Sequence, residues 1–130
     1  MIQNEVMEFI NITHAIPKKL KGYNGSLFIK DGIILIIKVS RTDKKFYGAN
    51  GNILDTLIYA LEENSIHFGI VLLNNEQGGW FYPDNIIFNK IQRGIWRKAN
   101  DGDYKINFPF MDSFYFNSYD DFEGIFKMLI

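Results

Sequence analysis

Ser26-Leu-Phe-Ile-Lys30, Asp31-Gly32, Ile33-Ile-Leu-Ile-Ile-Lys-Val-Ser40 is the stretch whose reading decides the fold. Asp31-Gly32 reads as a two-residue hairpin turn, because a type I′ turn needs positive φ at both central positions and Asp-Gly tolerates that. The arm that follows, Ile33 to Ile37, is an unbroken aliphatic run, and its β-branched side chains favour a pleated strand. A strand apolar on both faces must be covered on both. The run is therefore expected to be a central strand of a layered domain.

Upstream, Ile2, Val6, Phe9, Ile10 and Ile12 suit one face of a short helix, which Pro17 should close. Lys18 to Gly25 is basic and turn-rich. Downstream, Arg41 to Gly51 reads as a loop in which Phe46 and Tyr47 begin a third strand. Ile53, Leu54, Leu57, Ile58 and Leu61 form the stripe of a helix over Asn52 to Glu63, capped by Asn50 or Asn52 and ended by Asn64. His67 to Leu73 and Trp80 to Tyr82 read as a second hairpin. A helix from Asp84 to Arg93, capped by Asp84 and ended by Gly94, comes next. Trp96 to Asp103 reads as a loop and Tyr104 to Phe108 as an edge strand stopped by Pro109. Ser118 to Asp121 opens a C-terminal helix that turns Phe122, Ile125, Phe126 and Leu129 inward. The order predicts an α/β (α+β) fold, a mixed central sheet flanked by helices. With no repeat or linker in view, residues 1–130 are read as a single domain.

The 130 residues are 47% hydrophobic and 16% aromatic, which excludes a disordered chain. The absence of cysteine excludes disulfides, thiolate nucleophiles and Cys-based zinc sites, and is compatible with a reducing, cytoplasmic setting. No apolar run approaches the ~18 residues that span a bilayer, and Met1 to Phe9 carries Glu5 and Glu8 but no base, unlike a signal peptide. The net charge of −1 argues against a generic polyanion-coating protein. The charge is unevenly spread, however. Residues 18–45 hold Lys18, Lys19, Lys21, Lys30, Lys38, Arg41, Lys44 and Lys45 against Asp31 and Asp43, whereas residues 101–127 are mainly acidic. Such a block can make one basic face on a near-neutral protein.

Residues 2–88 resemble the core of the restriction-endonuclease-like, or PD-(D/E)XK, nucleases. The likeness rests on the order helix, hairpin, strand, helix, strand and on local text. Lys30-Asp31-Gly32 leads into an apolar strand ending Val39-Ser40-Arg41-Thr42, followed by Phe68-Gly-Ile-Val-Leu-Leu73 and Trp80-Phe-Tyr-Pro83. The resemblance implies a carboxylate on the first hairpin strand, then an acid or Gln and a Lys two residues apart on the next, holding Mg²⁺. Aligned on Asp31-Gly32, this sequence has Asn24 or Gly25, Lys38 and Ser40 at those positions. Shifted by two, it has Ile36 and Lys38. Neither register supplies a carboxylate. Glu5, Glu8, Asp31 and Asp43 are the acids left to restore one, so the catalytic candidates are Glu5, Glu8, Asp31, Lys38 and Ser40. No metal ligand set and no cofactor are expected, with Mg²⁺ implied only for an active nuclease.

Other features have plainer readings. His14 and His67 give neither a zinc set nor a triad and are expected to be structural or surface residues. Gly48-Ala-Asn-Gly51 lacks the Lys-Ser/Thr of a phosphate loop and reads as a helix entry. Trp80, Phe81, Tyr82 and Trp96 near Arg93, Arg97 and Lys98 suit either a binding surface or a core, the core being simpler. The Phe108 to Phe116 run is an interaction patch if exposed and a helix seal if buried.

The functional expectation is a nuclease-like fold without its metal-binding acids that works by binding. The partner is nucleic acid, through Lys18, Lys19, Lys21, Arg41, Lys44 and Lys45, or a protein, as in an accessory protein of a mobile element. The alternatives are a toxin-neutralising, immunity-type protein with an acidic C-terminal third, and a metal-dependent nuclease with relocated carboxylates.

Overall fold

The computed structural model describes residues 4–20, 23–40, 47–74, 78–106 and 114–130. Helix α1 spans Asn4–Thr13 and buries Val6, Phe9 and Thr13, spaced as one helical face requires. It ends before Pro17. His14 takes a left-handed φ of 62° and turns the chain away, and Pro17 lies inside strand β1, Ile16–Leu20. β1 is the rim of its sheet, where a missing N–H and consecutive lysines are tolerated and discourage further pairing.

Strands β2 (Tyr23–Lys30) and β3 (Ile33–Val39) form the expected antiparallel hairpin. Asp31 and Gly32 both hold positive φ, 49° and 81°, as the type I′ turn demands. The chain then passes through β4 (Tyr47–Asn50) and helix α2 (Gly51–Asn64) before β5 (Phe68–Leu73) lies parallel to β3. β6 (Gly79–Pro83) returns antiparallel to β5, followed by helix α3 (Asp84–Gln92), β7 (Arg97–Lys98), β8 (Asp103–Ile106) and β9 (Tyr115–Phe116). A short 3-10 turn, Tyr119–Asp121, leads into helix α4, Phe122–Leu129. The main sheet has six strands in the order β1-β2-β3-β5-β6-β9.

Alternate residues of β3 serve opposite layers, as strand geometry dictates. Ile34 and Ile36 pack with Ile53, Leu54 and Leu57 of α2 and Ile87 of α3. Leu35 and Ile37 pack with Val6 and Phe9 of α1 and with Phe122 and Phe126 of α4. The fold is thus a mixed α+β arrangement with its central sheet covered on both faces, as the aliphatic run implied.

Five expectations need correction. Lys18 to Gly25, read as turn-rich, holds the end of β1 and the start of β2. Trp96 to Asp103, read as a loop, holds β7 and the first residue of β8. Tyr104 begins no edge strand; β8 is the middle of a separate three-stranded sheet, β4-β8-β7. Asp84 does not cap α3. Pro83 holds the cap position without a side-chain bond, and the Asp84 carboxylate is engaged elsewhere. Ser118 bonds the Asp121 carboxylate at 3.2 Å instead of a backbone amide. The aromatic residues go to the core: Trp80, Phe81, Tyr82, Trp96, Phe114 and Phe116 are all buried. Residues 107–113 of the aromatic run lie outside the described residues. No helix among the described residues is long and apolar enough to cross a membrane.

Candidate functional site

The antiparallel pairing of β1, β2 and β3 brings the start of β2 and the ends of β1 and β3 to one end of the sheet. Leu20 pairs with Tyr23 at the close of β1, and Lys38 and Val39 pair with Leu72 and Leu73 at the close of β3. Asp31 stands at the other end. The length of β3 separates it from Ser40 by roughly 20 Å at ~3.3 Å per residue, so these two candidates do not share a site.

Lys18 and Lys19 are exposed on the half of β1 nearer the Ser40 end. Lys38 is half-buried, on the side of the sheet that Ile34 and Ile36 present to α2. Ser40 is buried, and its N–H donates to the Leu73 carbonyl at 3.1 Å. Lys21, Arg41, Lys44, Lys45 and Asp43 lie outside the described residues. Their described neighbours Leu20, Tyr23 and Ser40 all stand at this same end.

Lys30 belongs to the opposite end and is internal. Its side chain is only 9% exposed and pairs with Glu123 at 2.8 Å, while its ammonium donates to the Thr13 carbonyl at 2.7 Å. Lys30 thereby holds the Glu123 carboxyl below its ordinary range. Of the block's described bases, Lys30 is neutralised, Lys38 is half-buried, and Lys18 and Lys19 are exposed.

Sequence reasoning missed two buried phenols, Tyr47 and Tyr119. Tyr47 donates its hydroxyl to the Leu73 carbonyl at 2.9 Å, and burial, with Tyr119 nearby, drives its pKa well above the ordinary value. Tyr119 is 2% exposed, and its hydroxyl has no hydrogen-bond partner among the described residues. Burial first, then the carboxylates of Glu8 and Glu5, push it up to about 12. Tyr119 packs in the layer of Phe9 and Phe122 and lines a pocket with Thr13, Lys30 and Glu123. No local sequence signal marks this grouping, because its members come from α1, β2, the turn before α4 and α4 itself.

Among the described residues no group of three His, Cys, Asp or Glu side chains converges where a metal ion would sit. Asp43, one of the acids considered for a Mg²⁺, lies outside the described residues. The amides at the entry to α2 are engaged. Asn50 Oδ1 accepts the Ile53 N–H at 3.1 Å, and Gly51 donates its N–H to Gly102 O at 3.1 Å, so this stretch is a helix entry and no phosphate cradle.

With that geometry in place, comparison with solved structures finds a likeness to Hjc, a Holliday junction resolvase of the archaeal hyperthermophile Archaeoglobus fulgidus. The TM-score is 0.41 at 10% identity, over 78% of this chain and 76% of that one. A likeness that loose assigns no activity and no residue role to this chain. No protein-family model and no curated protein matches the sequence.

Proposed function

We propose that this protein binds nucleic acid through the Ser40 end of its main sheet and does so without metal-dependent cleavage. The observation that carries the reading is the contrast among the block's described bases. Lys30 is neutralised by Glu123, whereas Lys18 and Lys19 stay exposed where the chain enters its remaining basic segments. Lys38 in place of a carboxylate on β3 suits a phosphate contact, since an ammonium attracts phosphate and repels a metal cation. The immunity-type reading is less well supported, because Asp101 and Glu123 of the acidic third are tied to Lys105 and Lys30.

The test is fluorescence anisotropy with labelled single- and double-stranded oligonucleotides across a salt series. Each lost phosphate contact on duplex reduces the slope of log K against log salt by about 0.9. The double variant Lys18→Glu/Lys19→Glu is therefore expected to lose roughly two from that slope and to bind on the order of tenfold or more weakly. Binding indifferent to the double variant would count against the proposal. So would Mg²⁺- or Mn²⁺-dependent cleavage that disappears on changing Glu5 or Glu8.

A further inference from the structure

A cavity of about 520 Å³ opens at the opposite end of the sheet, the Asp31 end. Its size falls in the range of small-molecule sites, roughly 300–1,000 Å³. Ile33, Phe68, Pro83 and Leu129 give it apolar walls, and His67 and Asp84 supply polar groups.

The polar groups are arranged in a fixed order. Asp84 is buried, and its Oδ2 accepts the Phe68 N–H at 3.1 Å. The same oxygen lies 2.8 Å from His67 Nδ1. A carboxylate oxygen accepts here, so Nδ1 is the donating nitrogen, and in the neutral form of the ring Nε2 is then the acceptor. That fixes the tautomer and leaves the lone pair on Nε2, the role carboxylates play behind histidines elsewhere. The His67 side chain is 57% exposed, so Nε2 remains within reach of a ligand. The sequence reads His67 as a structural or surface residue, and its partner Asp84 lies 17 residues away.

We propose that the cavity binds a small uncharged molecule with an apolar body and one hydroxyl, which donates to His67 Nε2. The walls take the apolar body. An anionic head would meet the Asp84 carboxylate behind the imidazole. A cationic head would have to displace donors that Asp84 already accepts. A neutral hydroxyl meets neither obstacle.

Calorimetry on the whole chain with 4-ethylphenol, its methyl ether 4-ethylanisole and 3-phenylpropionate decides the matter. The phenol is expected to bind, the ether about tenfold more weakly for want of the one donated hydrogen bond, and the carboxylate more weakly still. His67→Phe should erase the phenol's advantage over the ether, with circular dichroism at the assay temperature showing the chain still folded. Leu129→Trp, which fills the cavity, should abolish binding of both. Equal binding of phenol and ether, tightest binding of the carboxylate, or no binding of the phenol overturns the proposal, and these outcomes are read on the unaltered protein.

Discussion

Phe122→Ala is expected to cost the fold about 3–5 kcal/mol, the range for an aromatic truncation that leaves a cavity. Phe122 is 0% exposed and joins both ends of the chain to the sheet. Its ring centroid lies 4.9 Å from Phe9 of α1, 5.5 Å from Phe81 of β6, 5.4 Å from Phe116 of β9 and 5.3 Å from Phe126 of α4. The T-shaped contacts among them add specific geometry to area burial. Against a total stability of roughly 5–15 kcal/mol, the loss should move the urea midpoint far toward zero or leave the chain unfolded. A shift of less than about 1.5 kcal/mol would mean that α4 does not close the layer over Leu35 and Ile37.

Gly79→Ala is expected to destabilise by about 2–3 kcal/mol. Gly79 lies on β6 opposite Leu73 and Phe116, between two strands. A Cβ there would come 2.2 Å from the Leu72 carbonyl and 2.9 Å from Phe116 Cζ. The first of these is backbone and cannot swing aside. Gly124→Ala serves as the control of opposite sign. It sits in α4 with nothing within 4 Å of the added methyl, so better helix propensity should stabilise by roughly 0.5–1 kcal/mol. Chemical denaturation of the two variants side by side checks both signs.

Much of the fold was legible because its signals are local. The Asp31-Gly32 turn, the Ile33 to Ile37 run and the α2 stripe each lie within a few residues, and all appear as expected. β1 was not legible, since an edge strand needs no apolar alternation and Pro17 with Lys18 and Lys19 reads as a turn. β9 is too short to carry a period. β8 was read as an edge because its partner, Tyr47–Asn50, lies far earlier in the chain. Asp84 looked like a cap from its position before an apolar run, but a partner 17 residues away, His67, holds its carboxylate instead. The same distance problem hides the packing of Tyr119 against Phe9 of α1. Sequence reasoning did read Ile33 to Ile37 as a central strand. It could not show that Asp31 and Lys38 occupy opposite ends of the sheet.

The central claim is that the Ser40 end of the sheet, and not the Asp31 end, meets nucleic acid. Amide NMR during titration with an unlabelled oligonucleotide tests it most directly. The expected result is perturbation of Lys18, Lys19, Lys38, Val39 and Ser40 that weakens with added salt, with Asp31, Gly32 and Glu123 unmoved. Perturbation centred on the Asp31-Gly32 turn, or none at low salt, would contradict it.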